Sequence, residues 1–175
     1  MTMTPATRAA FLDDSYLMAC EGRVLAVVDT ANGPGIVVDE TNFYATSGGQ
    51  PGDTGMLERE DGSTLRIAGT VKGEAGRAIE LLPAGGGNRR RGPRRYRLMR
   101  MHTACHILSV VCPFPITSAS VGEEESRVDF DIPDPTYTRE SVTAAMMEIV
   151  HGNHPVYSAW IEEAELDANP GIVRS

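Results

Sequence analysis

The feature that most limits how this chain can fold is the run Pro83-Ala-Gly-Gly-Gly-Asn88. Three consecutive glycines behind a proline lose too much backbone entropy to hold a helix or strand cheaply. The run also separates two stretches of different periodicity. Read as an interdomain linker covering the Gly/Arg-rich residues 84–93, it divides an N-terminal domain, residues 1–83, from a second domain, residues 94–175. A long surface loop is the alternative. A chain of 175 residues and 18.8 kDa can bury a core under either reading.

Before the run the pattern is that of strands. Arg23-Val-Leu-Ala-Val-Val-Asp29 and Gly35-Ile-Val-Val-Asp39 are short β-branched segments, and Asn32-Gly-Pro-Gly35 between them reads as a hairpin turn. Gly55-Met-Leu-Glu58 and Leu65-Arg-Ile-Ala-Gly-Thr-Val71 add two more. Strands this short and this closely spaced suggest a small barrel or sandwich.

After it the period changes. Residues 96–111 lack proline and glycine and are long enough to favour a helix, which Pro113 and Pro115 end. Arg127-Val-Asp-Phe-Asp-Ile132 alternates as a half-buried strand does. Residues 138–151 predict a second helix, N-capped by Thr138, with Val142, Ala145, Met146, Ile149 and Val150 on one stripe. Residues 156–162 predict a further strand in which Trp160 serves as a packing anchor.

Composition excludes several classes. Hydrophobic residues at 41% and charged residues at 23% belong to a globular protein. No apolar run reaches the ~18–20 residues of a membrane span, and no signal peptide is readable at the start. The three cysteines, Cys20, Cys105 and Cys112, therefore read as reduced thiols of a cytoplasmic protein. The net charge of −8 argues against a nucleic-acid partner only as a sum. Seven arginines lie between Arg89 and Arg100 with no acid among them, which leaves 9 basic against 24 acidic side chains elsewhere. A polyanion responds to that local field.

Two stretches carry chemistry. His102-Thr-Ala-Cys-His106 places two imidazoles one above the other on a helix face, a spacing that suits zinc. Two histidines four apart also occur as an ordinary surface pair, and two ligands do not close a zinc site. Cys105 points partly away and reads as a small buried residue. Cys112 at the helix end and the pair His151 and His154 are further ligand candidates, His151 being equally suited to cap a helix C-terminus. The second stretch, residues 41–55, joins aromatics to Gly48-Gly49, Gln50 and Asp53. Glycine pairs let backbone N–H groups approach a ligand or simply form a turn, and the stretch is not an ATP-binding P-loop.

Taken in order, these elements resemble the editing domain of alanyl-tRNA synthetase and its free-standing AlaX relatives. That family has Phe-Tyr-x-x-x-Gly-Gly-Gln-x-x-Asp-x-Gly ahead of an Arg-rich approach to His-Thr-Ala-x-His. Here these are Phe43, Tyr44, Gly48, Gly49, Gln50, Asp53 and Gly55, then Arg100-Met-His-Thr-Ala-Cys-His106. Thr117-Ser-Ala-Ser-Val-Gly122, Arg127-Val-Asp-Phe-Asp131, Asn153 and Pro170-Gly-Ile-Val-Arg-Ser175 extend the likeness.

The resemblance implies an α+β protein. Its first domain would be a small β-barrel-like unit, and its second a partial editing domain of helices on an antiparallel sheet. It implies hydrolysis of the ester joining a wrong amino acid, chiefly serine, to the tRNA for alanine. It implies Zn2+ held by His102 and His106 together with a Cys and a His from a later Cys-x-x-x-His. It places the Thr117 hydroxyl against the serine side chain and Gln50 near the pocket. Arg94, Arg95, Arg97 and Arg100 would then contact tRNA phosphates; a solvated run that offsets the acidic remainder is the plainer alternative. The later Cys-x-x-x-His does not occur up to Ser175, so the second domain is expected to be incomplete at its C-terminus. Gly92-Pro93 and Thr117-Ser118-Ala119 also depart from the family pattern. Two other functions are therefore weighed beside the zinc-dependent editing enzyme. One is a non-catalytic tRNA-binding fragment, and the other is a small metallohydrolase unrelated to tRNA.

Overall fold

A computed structural model describes residues 6–31, 33–73, 79–83, 92–134, 136–157, 159–169 and 171. The chain divides into two compact units, Met1–Leu98 and Met99–Ser175. Of the expected linker, residues 84–91 lie outside the described residues, as do Arg89, Arg90 and Arg91. So do Pro170 and residues 172–175 of the C-terminal motif.

Unit 1 contains strands β1 (Arg8–Ala9), β2 (Val24–Thr30), β3 (Gly33–Val38), β4 (Glu40–Thr41), β5 (Gly55–Glu58), β6 (Thr64–Lys72) and β7 (Ile79–Pro83), and then the start of helix α1 (Gly92–Val111). Five strands form one antiparallel sheet in the order β2-β3-β7-β6-β5, and β1 pairs in parallel with β4. The sheet is open. Among the described residues β2 and β5 are its two edges, and the barrel-like closure expected from the resemblance is not formed.

The β2–β3 turn is tighter than expected. Thr30 already pairs with Gly33, so Gly33, Pro34 and Gly35 open the strand instead of forming the loop. Gly33 itself lies at φ 103°, in the left-handed region that favours glycine. Strand β7 carries little sequence signal, because Ile79-Glu-Leu-Leu-Pro83 is short and abuts the glycine run. It is nonetheless central, pairing with both β3 and β6.

The core lies on one face of this sheet. Val38, Phe43, Ala45, Ile67, Ile79 and Leu81 are buried there, with Ala9, Phe11, Ile36 and Leu57 packed against them. Each fully buried aliphatic such as Ile67 or Leu81 contributes about 1.5–3 kcal/mol.

Unit 2 holds the rest of α1, the antiparallel pair β8 (Ile116–Ser120) and β9 (Arg127–Phe130), and helices α2 (Arg139–His151) and α3 (Glu163–Ala168). Helix α1 opens at Gly92, earlier than the 96 expected. Pro93 is compatible with this, since an N–H in the first helical turn has no intrahelical partner to lose. Helix α2 is capped as expected. The Thr138 hydroxyl accepts the Ser141 N–H at 3.1 Å, while the Ser141 hydroxyl accepts the Thr138 N–H at 3.0 Å.

Its apolar stripe, however, contains no fully buried residue. The strand expected over residues 156–162 is absent among the described residues, and Trp160 is 92% exposed rather than an anchor. A strand needs a neighbour to satisfy its backbone, and no strand among the described residues pairs with this segment. Among the described residues no helix is long and apolar enough to cross a membrane.

Candidate functional site

The glycine-rich element of unit 1 is a densely bonded loop. At its base the Tyr44 N–H donates to the Asp53 carboxylate at 2.9 Å, and the Asp53 N–H donates to the Tyr44 carbonyl at 2.9 Å. At its tip Ser47 and Gln50 exchange backbone bonds of 3.2 and 2.9 Å around Gly48 and Gly49, whose φ values are 55° and 73°. Two successive positive φ angles define a type I′ turn, which side chains with a Cβ resist. Gln50 is buried.

Strand β6 ties the loop down. The Thr70 carbonyl accepts the Thr46 N–H at 3.0 Å, and the Thr70 hydroxyl donates to the Asp53 carbonyl at 2.9 Å. A Cβ at Gly52 would stand 2.0 Å from the Thr70 carbonyl oxygen, so only glycine fits. The Tyr44 hydroxyl donates to the Ser47 carbonyl at 2.9 Å. Burial pushes the Tyr44 phenol above its ordinary pKa, and the Asp53 charge acts in the same direction.

The start of helix α1 grips the same loop. Arg94 donates from Nη1 to the Gly52 carbonyl at 3.1 Å. Arg95 donates from Nη1 to the Leu17 carbonyl at 3.2 Å, and from Nη2 to the Asn42 carbonyl and the Asp53 carboxylate. The side chains of this ion pair are 17% and 7% exposed. Arg95, expected on phosphate, is therefore directed inward, whereas Arg97 and Arg100 are exposed. Asp53 and Arg95 each belong to a distinctive stretch of the sequence, but the sequence alone does not join them. Nothing in a separation of 42 residues signals the pair.

Unit 2 presents the histidines. His102 and His106 lie on one face of α1 with ring centroids 5.0 Å apart and planes 17° from parallel. Burial and then the neighbouring His106 hold the His102 pKa below its ordinary value. His102 is thus favoured as the neutral imidazole, the form that offers a nitrogen lone pair. Cys105 is half-buried beside Ser126, and burial raises its thiol pKa. Cys112 is buried and its thiol is likewise raised. His151 and His154 are exposed.

Thr117 sits in β8, exposed, with its hydroxyl donating to the Asp129 carbonyl at 3.3 Å. Ile116 pairs with Phe130 and Ser118 with Asp129, so Thr117 is the extra residue of a β-bulge. Bulges re-aim side chains and recur beside functional sites.

The two histidines fit zinc as two nitrogen donors of the required type on adjacent helical turns. Among the described residues no group of three or more His, Cys, Asp or Glu converges as a metal site.

Comparison with known proteins gives a consistent set of relatives. No family model matches the chain. An alanyl-tRNA editing protein AlaX-M of Methanosarcina mazei is 36% identical over 181 aligned positions, covering 91% of this chain and 70% of that protein. The AlaX-M of Methanosarcina acetivorans is 35% identical, covering 91% and 72%. An alanine–tRNA ligase of Methanospirillum hungatei is 39% identical over 140 positions, which span 71% of this chain and 15% of the ligase.

Proposed function

The chain belongs to the alanyl-tRNA editing protein family, and on that premise we propose that it is a trans-editing hydrolase. It would cleave the ester of the alanine tRNA mischarged with serine, in the cytoplasm. The observation that carries this reading is the similarity to AlaX-M over 91% of the chain.

His102 and His106 would hold zinc through ring nitrogens, with a Cys and a His completing the set as the resemblance implies. Bound there, zinc would supply Lewis-acid polarisation and a water that ionises near neutral pH. The chain's own residues do the rest. The exposed Thr117 hydroxyl on its bulge meets the serine hydroxyl. A site built around an OH–OH hydrogen bond discriminates strongly against alanine, which would leave that polar group unpaired. The I′ turn holds Gln50 and its neighbouring backbone in one geometry. Arg97 and Arg100, three apart on α1 and both exposed, take tRNA phosphates.

The test is release of serine from the mischarged tRNA. Wild-type chain loaded with zinc is expected to release it, and His102→Ala and His106→Ala to lose it. Unchanged hydrolysis in both variants would remove the histidines from the reaction. A second reading, a tRNA-binding protein without hydrolysis, is favoured by the absence of a third converging donor among the described residues. It predicts tRNA affinity with no serine release from the wild type.

A further inference from the structure

Helix α1 begins against its own electrostatics. Its first turn has no acidic residue, and Arg94 and Arg95 stand near its positive N-terminal end. A cation there is disfavoured unless something nearby compensates it. The compensation is specific: Arg95 meets acceptors on three separate segments, at Leu17, Asn42 and Asp53, and Arg94 meets the Gly52 carbonyl beside Asp53.

The Asp53 carboxylate has two donors, the Tyr44 N–H and the Arg95 guanidinium. It is nearly fully buried, so removing the cation would leave an uncompensated charge at the base of the loop. A phosphate could engage this face of Arg95 only by displacing Asp53 from it.

We propose that Arg95, assisted by Arg94, is a positioning residue that fixes the Gly48-Gly49-Gln50 turn for the editing reaction and is not one of the tRNA-contacting arginines. The role presupposes the editing reaction proposed above. It draws on the guanidinium's planar fork, which reaches several acceptors at once. A lysine carries the same charge but lacks the fork.

The test compares Arg95→Ala, Arg95→Lys and Arg97→Ala in the zinc-loaded chain, reading kcat, KM and the salt dependence of tRNA binding. Arg95→Ala is expected to lower kcat by at least about tenfold, the loss that follows when a positioning group is displaced, with KM within about twofold. Its salt slope is expected to match the wild type. Arg95→Lys should recover only part of kcat. Arg97→Ala should raise KM and make the salt slope shallower by about one. An Arg95→Ala that behaves as Arg97→Ala does, or that leaves kcat unchanged, overturns the proposal.

Hydrogen exchange at the Tyr44 and Asp53 amides reads the latch without any activity. Faster exchange in Arg95→Ala, or in Arg95→Lys should the alanine variant not fold, supports it, and unchanged exchange overturns it. A wild-type chain that releases no serine would sink the editing reading, and with it the catalytic role of Arg95. The exchange result would then still decide whether the latch exists.

Discussion

The loop of residues 44–53 and the histidine face of helix α1 are built in opposite ways. In the loop, backbone groups, the Thr46 and Thr70 hydroxyls and a nearly buried ion pair are tied together within one unit. Each bond there fixes another, and Gly52 leaves no room for a methyl group. On the histidine face two stacked imidazoles lie on adjacent turns of α1, and elsewhere in the same unit Thr117 is exposed and helix α2 has no fully buried residue. Buried, fully bonded networks rigidify what they contain, whereas regions with few buried contacts open more readily. The difference is one of construction: the loop of unit 1 is closed by its own bonds, whereas the histidine face of unit 2 keeps polar side chains accessible.

That contrast can be broken by mutation. The largest effect is expected for Gly52→Ala, whose methyl group collides with the Thr70 carbonyl. Overpacking against backbone should cost about 3 kcal/mol, read as a lower urea midpoint. A loss under about 1 kcal/mol would mean that the loop yields and is not rigidly closed by its own bonds. A smaller effect is expected in unit 2. Thr138→Ala removes the capping box of α2 and should cost about 1 kcal/mol, read by thermal melting. If Thr138→Ala proved as damaging as Gly52→Ala, the contrast in rigidity between the units would fail.

How much of this was legible in the sequence depends on the range of the forces involved. Local signals were read well. The cap at Thr138, the glycine pair in a turn and the helical face shared by His102 and His106 all depend on residues within four positions of one another. What was missed depends on distant partners. Strand β7 is too short to stand out until β3 and β6 flank it. Arg95 looked like one more cation in an arginine run until Asp53, Asn42 and Leu17 were placed around it. Trp160 looked like an anchor because large aromatics usually bury, yet here it is 92% exposed. The bulge at Thr117 has no sequence signal at all; it exists only in the register of β8 against β9.

The most direct test of the central claim is the ratio of kcat/KM for the seryl over the alanyl ester of the alanine tRNA, measured with the zinc-loaded chain. An editing hydrolase that recognises the serine hydroxyl predicts a ratio of about 100 or more. Equal rates for the two esters, or no cleavage of either, would contradict it.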